Sequence, residues 1–374
     1  MKIAHAIRHY NKVTGSSRVV AELSENFIKD GHEVHVYTSS WTKDAPKEIV
    51  FHKVPVFKLN FPFEISSFTF MSTYMLRNKK YDIIHNHGDS RAVGIYTCHG
   101  IHSYFHIKKL APSKPSSLDR YIMNREYFIY GKRNYKKIIA ISDLIKRQII
   151  ESFNVPANDI AVVHNGVNVE EFSSNKAEKR LYIRKKYAIS KDEIILLFVA
   201  YGFVRKGLDV ALKALALLKN LPFKLFVVGK DENMRKFTAE TKRLGLDDKV
   251  IYTGPTKEIS SFFAASDIFV FPSVAEPLGL VELEAMSAGL PSIVSPPRVN
   301  GGAELMENGK DGIILEDHKD PDELAEKIRK LIENEALRKT IGMNAVEKAK
   351  EYSWNKVAQR TLNVYNIVIA NKGS

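Results

Sequence analysis

Short, unbroken runs of valine, isoleucine and leucine recur along this chain in two series, and no other feature restricts the fold as much. The first series reads "KIAHAI", "EVHVYT", "DIIHN", "GIYTC", "KIIAIS" and "IAVVHN". The second begins after about residue 170 and reads "EIILLFVA", "FKLFVVG", "KVIYTG", "DIFVFPS", "PSIVS" and "GIILE". A strand with one wet face alternates apolar and polar side chains. These runs are apolar at successive positions, as in parallel strands covered on both faces. Between them lie stretches such as "VRKGLDVALKALALLKN", apolar at three- and four-residue spacing, the mark of an amphipathic helix. Strand–helix alternation predicts α/β domains, and two series predict two doubly wound domains. The length of 374 residues agrees, being too great for one small core. The Asn, Gly and Ser punctuation of "HNGVNVEEFSSNKAEK" marks the linker. The expected division is residues 1–168, residues 169–354, and a last helix over 355–374 that crosses back to the first domain.

The lone cysteine, Cys98, excludes an internal disulfide and fits a reducing, cytoplasmic compartment. No apolar run reaches 18 residues, so no transmembrane helix is expected. The net charge of +13 is uneven. Lys and Arg number 24 against 14 Asp and Glu over residues 1–167, and 32 against 29 over the rest. A basic first half suits nucleic acid, an anionic membrane surface or a phosphorylated substrate. Residues 101–137 alone hold nine Lys and Arg against two acids and are rich in Tyr and Phe. Such a mix fits a membrane interface, while a hydrophobic core with solvated lysines accounts for half of it.

The chemistry concentrates at "EPLGLVELEAMSAGLP", straight after the buried strand "DIFVFPS". Open α/β sheets bind ligands at the carboxyl ends of their strands. Glu276 falls in the loop there, and a helix starting near Leu280 presents free N–H groups and its positive dipole end to a phosphate. Glu284, one turn further, points near the same place, and Glu282 on another face is expected to be solvated. Two carboxylates flanking a diphosphate can accept hydrogen bonds from sugar hydroxyls and ribose hydroxyls. Two plain charges, one in a loop and one on a helix, fit the spacing equally well. Arg205 and Lys206 in "YGFVRKGLDV" end another strand, where a guanidinium fork and an ammonium can neutralise pyrophosphate. Gly15 and Ser16 in "NKVTGSSRVV" offer N–H groups from the first strand–helix loop, which is not the dinucleotide GxGxxG fingerprint.

These motifs, with "FVVG", "YTG" and "AASDIFVFPS" in the same order, resemble the retaining glycosyltransferases of family 4. Within that family the resemblance is strongest to members that build the lipopolysaccharide core. It implies the GT-B fold, two Rossmann-like domains facing across a cleft. It implies transfer of a hexose, glucose from UDP-glucose, to a hydroxyl of a glycolipid, lipopolysaccharide-core or other glycan acceptor. Residue by residue, it implies that Arg205 and Lys206 hold the donor diphosphate and Glu284 the ribose. Glu276 meets the sugar near its 3-hydroxyl, and His99 of "YTCHG" lies beside the transferred sugar. Gly279 and Leu280 supply backbone groups, Tyr252 and Thr253 lie near the base, and Gly15 with Ser16 meets the phosphate. His99 and Glu276 are thus the expected catalytic residues. Many members carry Gly-Arg where this chain has Gly202-Phe203, and Arg205 is the expected substitute.

No metal is expected: "DPD" at residues 320–322 reads as a helix cap, and His85, His87, His99, His102 and His106 end separate strands without a geometric set. A peripheral place on the inner face of the cell membrane is expected, and nucleic acid is not. A sugar-nucleotide 2-epimerase of the same fold and a non-enzymatic basic nucleic-acid-binding protein are the alternatives.

Overall fold

The computed structural model describes residues 1–13, 15–108 and 114–371. The chain forms two compact units, Met1–Gly166 with Trp354–Ser374, and Val167–Ser353. Both are mixed α/β, Rossmann-like units, as the two series of apolar runs predict.

The first unit carries a sheet of seven strands: β1 (Lys2–Ala6), β2 (Glu33–Thr38), β3 (Val50–Lys53), β4 (Ile83–Asn86), β5 (Ile95–Cys98), β6 (Lys137–Ala140) and β7 (Ile160–Val162). Their spatial order is β3-β2-β1-β4-β5-β6-β7, all pairs parallel. β3 sits at the edge, with two of its four residues exposed, which is why "VFHK" gives no apolar run. Helices α1 (Gly15–Lys29), α2 (Phe61–Leu76) and α3 (Ser117–Glu126) belong to this unit. Asn60 caps α2 by accepting the Phe63 N–H at 3.1 Å, and a capping box of Ser116 and Asp119 starts α3.

The second unit carries six parallel strands: β8 (Ile194–Tyr201), β9 (Phe223–Lys230), β10 (Val250–Gly254), β11 (Ile268–Phe271), β12 (Ser292–Val294) and β13 (Ile313–Ile314), in the order β10-β9-β8-β11-β12-β13. β8 and β9 pair over their whole length, from Ile194 opposite Phe223 to Tyr201 opposite Lys230. Leu196, Phe198, Leu225 and Val227 are fully buried beneath α4 (Leu208–Ala216) in one contiguous core. Further on lie α5 (Leu280–Ser287) and α6 (Pro321–Glu333). Asp320 caps α6 by accepting the N–H groups of Asp322 and Glu323 at 2.8 and 3.3 Å, which is the cap that "DPD" suggests. The Val167 N–H donates to the Tyr352 carbonyl at 2.9 Å, so the unit's entry and exit segments are tied together.

The last helix, α7 (Trp354–Ala370), packs in the first unit. Its Tyr365 is fully buried between Phe27 of α1 and His85 of β4, and its hydroxyl lies 2.6 Å from His85 Nδ1. Among the described residues no helix is long and apolar enough to cross a membrane.

Candidate active site

In the second unit the site grows from the end of β11. All four of its side chains are buried, so the chain leaves the sheet there with no freedom to wander. The loop after it carries Glu276, whose backbone is fixed from both sides: its N–H donates to the Val299 carbonyl and its carbonyl accepts from the Gly301 N–H, each at 2.8 Å. The carboxylate is 6% exposed and in contact with the Lys206 ammonium, and the Arg205 guanidinium lies 3.9 Å away. Lys206 arrives from the end of β8, through a turn closed by Gly207. That glycine has φ +78°, and a Cβ on it would lie 1.9 Å from the Pro272 carbonyl oxygen. Only glycine permits this approach, and the approach is what delivers Lys206 to Glu276. The Lys206 ammonium also lies over the Phe271 ring, 5.1 Å from its centre. Arg205 donates to the Ala275 carbonyl at 2.8 Å and remains half exposed.

Burial pushes the Lys206 ammonium down to about 7, helped by the charge of Arg205; Glu282 acts in the opposite sense. The Glu276 carboxylate in contact with it also favours the charged form. Two buried charges therefore compensate one another, at an end of the sheet where an anion can enter the same balance.

Gly279 caps α5 in extended geometry (φ −80°, ψ 124°). The N–H groups of Leu280 and Val281, in the first turn, have no intrahelical acceptor. Glu284 is 6% exposed and lies one turn in. Glu282, expected to be solvated, is instead wholly buried. It accepts the Asn300 side-chain amide at 2.6 Å and the Gly279 N–H at 3.2 Å. Asn300 in turn accepts the Gly302 N–H at 2.9 Å. Glu282 is thus a strut between the start of α5 and the 299–302 segment that grips Glu276. Burial raises its carboxyl to about 7, opposed by the Asn300 bond, Lys206 and the Gly279 N–H. The sequence carried no signal for Asn300 or Gly302, because they lie a strand away from the motif. For Glu282, helical phase relative to Glu284 pointed outward, but the 299–302 segment covers that face.

Tyr252 and Thr253 end β10. The Tyr252 ring packs against the core and its hydroxyl lies 2.7 Å from Thr241 Oγ1. Thr253 donates to the Gly254 carbonyl at 3.0 Å. Phe203, where the resemblance led one to look for Arg, is fully buried between Phe198 and Phe237.

In the first unit, Gly15 and Ser16 open α1, and a Cβ on Gly15 would meet nothing within 4 Å. His99 follows β5 and ends a chain of imidazoles: His99 Nε2 lies 3.4 Å from His87 Nδ1, and His87 Nε2 lies 3.2 Å from His5 Nδ1. Burial drives His99 down to about 4 and His5 to about 3, and holds His87 well below the ordinary imidazole range. These rings are neutral at physiological pH. His5, His85 and His87 bring ring nitrogens within 4.8 Å of one another, a grouping hidden in sequence because His5 comes from another strand. His85 uses both nitrogens already, on Tyr365 and on Thr97 at 2.6 Å.

In the basic stretch 101–137, Lys108 pairs with Glu151 at 3.0 Å and Lys137 donates to the Asn158 carbonyl at 2.5 Å. Lys109 lies outside the described residues. Lys114, Arg120, Lys132, Arg133 and Lys136 are exposed.

Comparison with known proteins identifies the family. The profile of "Glycosyl transferases group 1" matches residues 179–348 and that of "Glycosyltransferase Family 4" residues 13–171. The chain belongs to the family 4 glycosyltransferases of the GT-B fold. It is 27% identical to an uncharacterized glycosyltransferase of Methanocaldococcus jannaschii over the full length of both. It is 26% identical to the lipopolysaccharide glucosyltransferase WaaG of Escherichia coli, over 92% of this chain and 93% of that one. The crystal structure of WaaG, a glycosyltransferase involved in lipopolysaccharide biosynthesis, superposes with a TM-score of 0.81 at 24% identity, over 97% and 99% of the two chains. Anabaena HepE, solved with UDP and glucose, gives 0.77 at 18% identity over 98% and 99%.

Proposed function

We propose that this glycosyltransferase moves glucose from UDP-glucose, with retention, to a hydroxyl of a glycan or glycolipid acceptor. The observation that carries this reading is the buried Lys206–Glu276 pair beside the open first turn of α5, with Glu284 one turn behind. A diphosphate bound there meets the Leu280 and Val281 N–H groups and the Arg205 and Lys206 cations. In this reading Glu284 accepts from the ribose, Glu276 from the sugar 3-hydroxyl, and Tyr252 and Thr253 flank the base with their backbone. Gly279 lets the sugar approach, His99 hydrogen-bonds the transferred sugar, and Gly15 and Ser16 offer N–H groups to the phosphate. UDP is favoured because HepE was solved with it, and a saccharide-bearing lipid acceptor because of the similarity to WaaG.

Negative charge develops on the leaving diphosphate, and the two cations and the helix start stabilise it there. The acceptor oxygen bonds to the anomeric carbon on the face the diphosphate leaves. The carbon–oxygen bond to phosphate breaks, and a phosphate oxygen takes the acceptor proton. No metal is required in this scheme, since the cations come from the protein. The exposed cations of residues 101–137 would rest on anionic lipid at the cytoplasmic face of the membrane.

The test is nucleotide release from a panel of UDP- and GDP-hexoses, with and without truncated lipopolysaccharide as acceptor. Turnover of UDP-glucose that needs the acceptor and keeps the α-configuration supports the reading. Release of UDP without any acceptor would point to an epimerase, and release from GDP-hexoses alone would overturn the donor assignment.

A further inference from the structure

A cavity of about 660 Å³ opens in the first unit under α2, within the range of small-ligand sites. Its floor is apolar and buried, with Leu76 2% and Ala92 7% exposed. Its mouth is ringed by large apolar side chains that water would otherwise touch: Phe70 is 70% exposed, Tyr74 66% and Val93 52%. Exposed side chains of this size gathered at one opening mark a binding surface rather than scattered surface residues. Besides neutral Ser66, Thr69, Thr73 and Asn78, the charged part of the lining is of one sign. Arg77, Lys79 and Arg91 all line the cavity, and no Asp or Glu does. The guanidinium of Arg91 lies over the Phe128 ring, 4.9 Å from its centre, and its Nε is buried without a hydrogen-bond partner. Three cations therefore share one lining that holds no carboxylate, and an anion can complete the set.

We propose that this cavity binds a single-chain anionic lipid, its phosphate on Arg77, Lys79 and Arg91 and its hydrocarbon chain against Phe70, Tyr74, Val93 and Phe128. Planar forks and an ammonium match phosphate oxygens, and the apolar floor supplies the chain with a dry surface. Neither an uncharged amphiphile nor a bare anion uses both halves of the lining. The proposal goes beyond the donor reading and holds whichever sugar the protein transfers.

The test is calorimetric titration of the full chain with n-dodecyl phosphate, n-dodecyl maltoside and sodium phosphate, the amphiphiles below their micelle thresholds. Dodecyl phosphate should bind more tightly than either of the others by at least about tenfold. Val93→Trp, which fills the mouth, and the double change Arg77→Gln with Lys79→Gln should each weaken it by about tenfold or more, with thermal unfolding unchanged. Maltoside binding as tight as dodecyl phosphate would make the cavity a neutral apolar groove. Inorganic phosphate binding as tight would make it a simple anion site. Absence of dodecyl phosphate binding, or indifference to both variants, would overturn the proposal outright.

Discussion

Gly302 and Glu282 are coupled so tightly that one should decide what the other tolerates. The backbone at Gly302 is not in the left-handed region, so alanine is conformationally allowed there. The obstacle is a single side chain: an added Cβ would lie 1.9 Å from Glu282 Oε2 and 2.6 Å from Oε1. Gly302→Ala must therefore either compress the site, at ~1–3 kcal/mol, or expel the Glu282 carboxylate. Expulsion strands the Asn300 amide and the Gly279 N–H, at ~1–3 kcal/mol for each buried unpaired donor. Taking the cheaper route, the single change should cost ~1–3 kcal/mol of the ~5–15 typical of a native protein. In a Glu282→Ala background the space is empty, and adding Gly302→Ala should cost less than ~1 kcal/mol. The coupling energy from the four-protein cycle should then be ~1–2 kcal/mol, within the range seen for residues in one network. Urea unfolding followed by far-ultraviolet circular dichroism measures it. Equal costs for Gly302→Ala in the two backgrounds would refute the strut.

The same carboxyl gives a pH signature. Its native value is raised to about 7, so the native state holds an extra proton between the ordinary carboxyl range and pH 7, and stability from this group falls as pH rises through that window. Glu282→Gln should remove that slope, seen as a flatter melting temperature from pH 5 to pH 7.5; an unchanged slope contradicts the assignment. Tyr365→Phe leaves His85 Nδ1 without its 2.6 Å partner and should cost ~1–3 kcal/mol, measured by thermal unfolding, whereas a neutral change would mean the α7 hydroxyl does not anchor the helix. Replacing Lys114, Arg120, Lys132 and Lys136 together by Ser should abolish sedimentation with anionic vesicles, each cation contributing ~1 kcal/mol near the surface. Wild-type binding that ignores lipid charge or salt would remove the membrane reading.

Fold and site differ in how legible they were. Each of the twelve apolar runs became a strand, because a parallel strand buried on both faces must be apolar at successive positions, and that constraint is local. The edge strand β3 escaped because its half-exposed "VFHK" obeys no such constraint. The approach of Lys206 to Glu276 follows from two motifs that each end a strand of one parallel sheet, a rule of topology rather than of spacing. The burial of Glu282 could not be read in the same way. Helical phase describes one helix, while the cover over that face comes from Asn300 and Gly302, after the next strand. The imidazole chain was half visible: His85, His87 and His99 stood out, but His5, in the first strand, joins them only through the pairing of β1 with β4.

The central claim is that the start of α5, with Lys206 and Glu284, binds the nucleotide part of the donor. Calorimetric titration of UDP into the native chain, Lys206→Ala and Glu284→Ala tests it most directly. Glu284→Ala is the cleaner arm, since it leaves the Lys206–Glu276 pair intact. UDP should bind the native protein and bind each variant at least about tenfold more weakly, with unchanged circular dichroism. UDP affinity that is the same in all three proteins would contradict the site.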